Sequence, residues 1–261
     1  MATPAPSVSQ KLIVVGGGGR PAQAVARFID WAGRTQARLL VVTWAAPSAA
    51  TVDFYEALRD DFSPFNPHET VHAIEASEMA VRRGEFLGQL ARATGVFFSG
   101  GDQNRVMDLL EQDALRFPGT QSVVHALREK YARGTVFGGT SAGTAIMSSP
   151  MFTGQGDDSV FDGAQVGFRN GLGLIAGVVF DQHFLANRRT LRLMGFVSIH
   201  PGKLGLGIDE DTALIIENSR FAQVVGTSKV LAMELNPTTQ KIETLPLSAG
   251  QKYDLLKRAV Y

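Results

Sequence analysis

The chain has 261 residues, 44% hydrophobic and 19% charged, which is enough apolar content for a large buried core and excludes a disordered chain. Lys plus Arg and Asp plus Glu number 25 each, so no global basic field exists to hold nucleic acid or an anionic membrane. The absence of cysteine excludes a disulfide framework, a thiolate zinc site and a cysteine nucleophile. No run of 18 apolar residues is present, and no membrane span is expected. Residues 1–10 have neither a basic n-region nor an apolar h-region. They read as a disordered lead-in to one domain over 11–261, with a cytoplasmic location expected.

Residues 11–15 form a short apolar run that ends in Gly16-Gly17-Gly18-Gly19. The spacing of Ala22, Val25, Ala26 and Ile29 predicts a helix over 22–33, with Gly33 suited to its C-cap. The four glycines lack full G-x-G-x-x-G spacing, and no P-loop Lys-Ser/Thr follows. A tight turn whose backbone lines a cleft is therefore favoured over a phosphate cradle. Residues 38–44 (RLLVVTW) have the continuous apolar character of a strand buried on both faces. Residues 49–61 read as a helix, 62–68 as a Pro-broken loop and 70–74 as a strand. Ser77 is expected to cap a helix that runs to about residue 93. A buried strand at 95–98 leads into Ser99-Gly100-Gly101-Asp102-Gln103, followed by helices over 103–112 and 120–133.

This alternation predicts an α/β fold with a mostly parallel central sheet flanked by helices. Ligands in such sheets sit beyond the carboxyl ends of the strands. Three glycine-rich loops fall at such ends, at 16–19, 100–101 and 138–143, and are expected to converge on one cleft. The third follows the apolar run 135–137 and precedes a helix opening at 144–148. Gly139-Thr140-Ser141-Ala142-Gly143 thus fits a G-x-S-x-G nucleophile elbow in its strand-turn-helix setting. The competing reading is a glycine-rich turn with an incidental serine. Residues 152–173 are expected to form a loop beside the cleft. A strand at 178–180 delivers Asp181-Gln182-His183-Phe184, and 188–199 has helical spacing. From Leu206 onward, strands at 213–217, 221–226 and 230–235, with an Asn218-Ser219 turn, look like antiparallel additions to the sheet edge.

A serine becomes a nucleophile when a base takes its proton and a third group orients that base. Of the five histidines, His68, His72, His125 and His200 each have a structural explanation in a loop, a strand, a helix and a helix end. His183 lies just past a strand end, at the edge where Ser141 is expected, and is the candidate base. Gly207-Ile208-Asp209-Glu210-Asp211 offers three consecutive carboxylates for the orienting role. Glu210 is the middle candidate, and nothing local separates it from its neighbours. Backbone N–H groups of Ala142 and of a glycine in the 100–101 loop, Gly101, are the candidates for an oxyanion hole.

Ser99-Gly100-Gly101-Asp102-Gln103-x-Arg105, the elbow, Asp181-Gln182-His183-Phe184 and Gly207-Ile208-Asp209-Glu210-Asp211-Thr212-Ala213 occur in this order. Together they resemble the cyanophycinases, serine exopeptidases grouped with aspartyl dipeptidase. The resemblance implies a class I glutamine amidotransferase-like, flavodoxin-like fold, with Ser141 as nucleophile, His183 as base and Glu210 as orienting acid. It further implies cofactor-free hydrolysis of cyanophycin, a poly-aspartate backbone with arginine on each β-carboxyl, to β-Asp-Arg dipeptides by a homodimer. Substrate contacts are expected from Gln103, Asp181, Gln182 and positions 187, 189 and 192, the last three arginines in the family pattern. Here Arg189 and Arg192 are kept while position 187 is Asn187, flanked by Arg188. Asparagine lacks the bidentate charged fork of arginine, a contact worth about 1.5–3 kcal/mol. On a helix, Arg188 would point away from position 187, whereas Arg189 and Arg192 would share a face. Without the family pattern those two read as a solvated basic face. Three alternatives stay open: a dipeptidase or isoaspartyl peptidase on other acidic peptides, a phosphate- or nucleotide-binding module using Gly16–Gly19, and a non-catalytic binding relative.

Overall fold

The structure is a computed structural model and describes residues 8–154 and 166–261. Most of the expected N-terminal lead-in and the middle of the expected 152–173 loop lie outside the described residues. Five strands alternate with five helices: β1 (Lys11–Val15), α1 (Ala22–Ala32), β2 (Arg38–Val42), α2 (Thr51–Phe62), β3 (Glu69–His72), α3 (Met79–Arg92), β4 (Gly95–Phe98), α4 (Gln103–Arg116), α5 (Val123–Ala132) and β5 (Val136–Thr140). The strands pair in parallel in the order β1-β5-β4-β2-β3.

The continuous apolar runs have a direct physical cause. In β1, Leu12 and Val14 join one core and Ile13 and Val15 another; Leu40 and Val42 divide from Leu39 and Val41 in the same way in β2. Alternate side chains point to opposite faces, so helices on both sides force every position to be apolar. Helices α1 and α2 supply Phe28 and Phe62 to one core, and α3, α4 and α5 supply Phe86, Leu110 and Leu127 to the other.

Local signals misplaced several boundaries. Ser77 lies in a separate 3-10 turn, Ala76–Glu78, and α3 begins at Met79 without a side-chain cap. The caps occur later, where Asp102 accepts the Asn104 N–H at 2.8 Å and Ser122 accepts the His125 N–H at 3.3 Å. Helix α4 extends to Arg116, past residue 112, because Asp113 is held by Arg83 and by the Val123 N–H. The strand expected over 38–44 stops at Val42, where Thr43 opens a turn closed by the Ala46 N–H.

After β5 come a single turn α6 (Ala142–Ala145), a short antiparallel pair β6 (Met151–Phe152) and β7 (Phe168–Arg169), then β8 (Val178–Asp181), α7 (Thr190–Ile199) and β9 (Leu204–Ile208). The remaining strands are β10 (Thr212–Glu217), β11 (Phe221–Gly226), β12 (Lys229–Leu235), β13 (Ile242–Ser248), β14 (Lys252–Asp254) and β15 (Ala259–Val260). As expected, β10 and β11 extend the central sheet antiparallel beyond β1, followed by β14 and β15. The expectation fails for 230–235. That segment, β12, pairs with β9 in a second sheet of order β13-β12-β9-β8, in which β8 and β9 are parallel. Helix α7 packs Leu193, Phe196 and Val197 against Val179 and Met233 of this second sheet. Among the described residues no helix is long and apolar enough to cross a membrane.

Candidate active site

The three glycine-rich loops converge because β1, β5 and β4 are adjacent parallel strands whose ends lie level, with Val15 opposite Thr140 and Phe98 opposite Gly139. At the end of β5 the backbone turns sharply through Ser141, at φ 53° and ψ −116°. This conformation is costly for a residue with a Cβ. The flanking glycines are sterically required. A Cβ on Gly139 would stand 2.3 Å from the Gly143 carbonyl oxygen, and one on Gly143 would stand 2.3 Å from the Phe98 carbonyl oxygen. The turn leaves Ser141 half-buried while Ala142–Ala145 behind it are buried.

The partners of Ser141 come from the second sheet. Parallel neighbours β8 and β9 run level, Asp181 opposite Gly207, and the chain leaving each end brings His183 and Glu210 together. His183 Nε2 lies 2.8 Å from Ser141 Oγ, and His183 Nδ1 lies 2.6 Å from Glu210 Oε1. An ionised carboxylate only accepts hydrogen bonds, so Nδ1 carries the proton and Nε2 is left to accept the serine hydroxyl.

The three consecutive carboxylates, indistinguishable in sequence, have separate tasks. Glu210 meets His183. Asp211 Oδ1 accepts the Gly19 N–H at 2.5 Å. Asp209 is buried; its Oδ1 accepts the Leu185 and Ala186 N–H groups at 3.0 Å each, and its Oδ2 accepts the Ser228 hydroxyl at 2.6 Å. Burial opposes charge on Asp209, but these bonds and one from the Glu210 backbone outweigh it and hold the carboxyl below its ordinary range.

Residues 15–17 serve as the scaffold for this line of side chains. The Val15 carbonyl accepts the Ser141 N–H at 3.1 Å, the Gly16 carbonyl accepts the His183 N–H at 2.6 Å, and the Gly17 carbonyl accepts the Asp211 N–H at 2.9 Å. One turn after β1 therefore fixes the backbone beside all three side chains. Two of its own N–H groups are engaged within the protein, Gly16 donating to the Thr212 carbonyl and Gly19 to Asp211, so these two are not available to a phosphate oxygen. Gly17 also touches the imidazole so closely that a Cβ there would lie 2.2 Å from His183 Cε1. The glycine run was legible in the sequence; its role as a carbonyl scaffold had no local signal.

Two cavities meet at Ser141 and His183. One, of about 460 Å³, lies between the Gly17–Gly18 turn, Gly100–Gly101 and α2. The other, of about 580 Å³, is bordered by Gly101, Gln103, Gln182, Asn187 and Arg189. Four of the six expected substrate contacts thus face the second cavity. Within it, Gln103 Nε2 donates to the Phe152 carbonyl at 2.9 Å, and Arg189 Nη1 donates to the backbone and side-chain oxygens of Gln182.

Asp181 and Arg192, the other two expected contacts, are buried. Both are about 1% exposed and pair with each other, with Arg192 Nε 2.8 Å from Asp181 Oδ2 and a second contact from Nη2 to Oδ1. The guanidinium also lies 4.7 Å from the centroid of the Phe152 ring. Burial pushes the Asp181 carboxyl up, against the pull of Arg192. The pair ties β8 to α7 and borders neither of the two cavities. The expected helix over 188–199 begins only at Thr190, so Arg189 and Arg192 share no solvated basic face. Asn187 and Arg188 precede it in a turn, with Arg188 at φ 49° and the Asn187 N–H bound to the His183 carbonyl at 2.9 Å. Two of the other histidines are engaged structurally: His72 with Thr43 Oγ1 at 2.7 Å, and His200 stacked on Phe196. Among the described residues no cluster of three or more His, Asp or Glu is arranged to hold a metal ion.

Known proteins are similar to this chain in sequence or in fold. The cyanophycinase of Synechococcus elongatus is 32% identical over 218 residues, 82% of this chain and 64% of its own length, and that of Thermosynechococcus vestitus matches to the same extent. The cyanophycinase of Trichormus variabilis is 36% identical over 155 residues, 59% of this chain and 49% of its own. The chain thus spans less than two thirds of the length of these curated relatives. The crystal structure of a peptidase from an acI-B1 Actinobacterium has a TM-score of 0.68 at 20% identity, over 95% of this chain and 98% of that one. A putative peptidase E protein from Listeria monocytogenes EGD-e has a TM-score of 0.55 at 14% identity, over 92% of this chain and 100% of its own. At these identities the two structures show the fold alone. The model of Peptidase family S51 matches residues 12–224, from the first strand into β11 and so including the acidic turn that carries Glu210, and the chain belongs to that family.

Proposed function

We propose that this chain is a serine exopeptidase that hydrolyses cyanophycin to β-Asp-Arg dipeptides, with Ser141 as nucleophile, His183 as general base and Glu210 as the group that orients it. The observation that carries the reading is the hydrogen-bonded line from Glu210 through His183 to Ser141, at 2.6 and 2.8 Å. Family membership and the cyanophycinase relatives support the substrate class.

In the proposed reaction Ser141 Oγ forms a bond to the scissile carbonyl carbon as its proton passes to His183 Nε2. Glu210, bound to Nδ1–H, stabilises the resulting imidazolium. Negative charge on the carbonyl oxygen is met by the N–H groups of Ala142 and Gly101. Collapse of this intermediate breaks the C–N bond, and His183 returns the proton to the departing amine. Water, deprotonated by the same imidazole, then hydrolyses the acyl-serine ester. Gln103, Gln182, Asn187 and Arg189 border the cavity that would hold the substrate's polar groups. A homodimer in the cytoplasm belongs to the same proposal.

A second reading has its own observation. Asn187 borders the cavity where the family pattern has arginine, which favours short isoaspartyl peptides with fewer carboxylates to grip. Cyanophycin digestion with product identification tests both. Wild type is expected to release β-Asp-Arg and Ser141→Ala to lose the activity by at least about 10⁴-fold. Release only from short isoaspartyl peptides would overturn the polymer substrate and leave the mechanism standing. Equal activity in Ser141→Ala would overturn the mechanism.

A further inference from the structure

The α2 wall of the cavity beside Ser141, formed by Asp53, Phe54, Ala57 and Leu58, belongs to no motif and to no part of the substrate site expected from the sequence. We propose that this cavity is a subsite for a cationic side chain, a guanidinium or ammonium on an aliphatic stem, belonging to the residue next to the scissile bond. Asp53 is its counter-charge and Phe54 its wall. This deepens the peptidase reading above and rests on it.

The geometry puts this cavity against the nucleophile. A Cβ built on Gly100 would stand 3.8 Å from Ser141 Oγ and 3.7 Å from Phe54 Cε1, so the ring borders the reacting atom with only glycine between them. Phe54, Ala57 and Leu58 of α2 make an apolar wall on which the methylenes of a long side chain can lie.

Charge then decides the chemistry of the head group. Two charged side chains border the cavity, Arg20 and Asp53. Arg20 pairs with Asp61, and its Nη2 donates to the Ala57 carbonyl at 3.5 Å, so its charge is met within the protein. Asp53 is exposed, sits in the first turn of α2, which makes no side-chain capping bond, and forms no salt bridge among the described residues. The helix N-terminus accounts for an acidic residue in that turn. It does not account for a carboxylate facing a cavity beside the nucleophile, next to an aromatic ring. A carboxylate beside an aromatic ring favours a cation over a neutral isostere or a plain alkyl chain. Across Ser141, the other cavity presents Arg189. The substrate is thereby read by opposite charges on its two sides, a cation at Asp53 and a carboxylate at Arg189.

The test separates this subsite from the peptidase reading by measuring binding where no turnover occurs. Calorimetry compares Ser141→Ala with Ser141→Ala/Asp53→Asn against three β-aspartyl dipeptides that differ only in their second residue: arginine, neutral citrulline or apolar norleucine. The arginine peptide is expected to bind the single variant about tenfold more tightly than the other two, and the double variant within about twofold of them. Asp53→Glu is expected to retain part of the preference, and thermal unfolding checks that each variant is folded. Equal binding of the three peptides, a preference unchanged by Asp53→Asn, or no measurable binding would overturn the subsite. Wild type that releases no β-Asp-Arg from cyanophycin would instead overturn the peptidase reading, with the binding ratios still judging Asp53.

Discussion

Gly17→Ala tests whether the turn after β1 sets the position of the imidazole. The new Cβ would lie 2.2 Å from His183 Cε1 and 2.4 Å from Nε2. An ordinary carbon–carbon contact is about 3.5 Å, so the ring must retreat by about 1.3 Å. The 2.8 Å hydrogen bond to Ser141 Oγ would then open to about 4 Å and be lost. Misplacing a reacting group by about 1 Å costs about 100-fold, and losing the general base costs about 10²–10⁴-fold. The expected outcome is a fall in kcat/KM of about 10²–10³-fold on cyanophycin and on a short β-aspartyl-arginine peptide. The fold should survive. Gly17 has φ +118°, where alanine pays about 1–2 kcal/mol, which corresponds to a loss of a few degrees in Tm. Circular dichroism and thermal unfolding check that part. A folded variant with kcat/KM within threefold of wild type would refute the claim that Gly17 is glycine because His183 packs on it.

Three further outcomes are expected. Glu210→Gln should lower kcat by about 10²–10⁴-fold with little change in KM, while Asp211→Asn stays within about tenfold; steady-state kinetics on both variants check the separate tasks of these neighbours. Asp209→Ala should cost about 2–4 kcal/mol of unfolding free energy at neutral pH, since it strands two N–H groups and a hydroxyl. Because the folded Asp209 carboxyl is depressed, its stabilisation is present above the unfolded value near pH 4 and is lost as pH falls through the folded value. Denaturant titrations should therefore show the gap between wild type and Asp209→Ala closing below about pH 4; a constant gap would contradict this. Arg192→Ala should destabilise by about 3–5 kcal/mol by leaving Asp181 buried without its partner, read as a shift in the urea midpoint.

What the sequence made legible was what short-range sterics determine. The elbow is one case, because Gly139 and Gly143 are required by contacts within a single strand-turn-helix unit and with its neighbouring strand β4. The buried strands are another, since a sheet covered on both faces demands apolar residues at every position. Strand pairing across long stretches of chain left no such trace. Segment 230–235 has the same pattern whether it joins the central sheet or pairs with β9, and only the second occurs. The choice among Asp209, Glu210 and Asp211 depends on how the chain crosses between the two sheets, from β9 to β10. Arg192 shows the same limit: a basic residue near a helix start reads as solvated, yet here a buried carboxylate and an aromatic ring receive it. Asp53 and Phe54 were unmarked for the same reason, since the cavity they border is assembled from α2, the Gly17–Gly18 turn and the Gly100–Gly101 loop.

The central claim is that Glu210, His183 and Ser141 act as one unit with Ser141 as the nucleophile. Labelling with a fluorophosphonate, followed by intact-mass analysis and peptide mapping, tests it without reference to any substrate. One adduct on Ser141 is expected in wild type, formed about 10³-fold more slowly in His183→Ala and absent in Ser141→Ala. No adduct on wild type, an adduct elsewhere, or labelling of His183→Ala at the wild-type rate would contradict it.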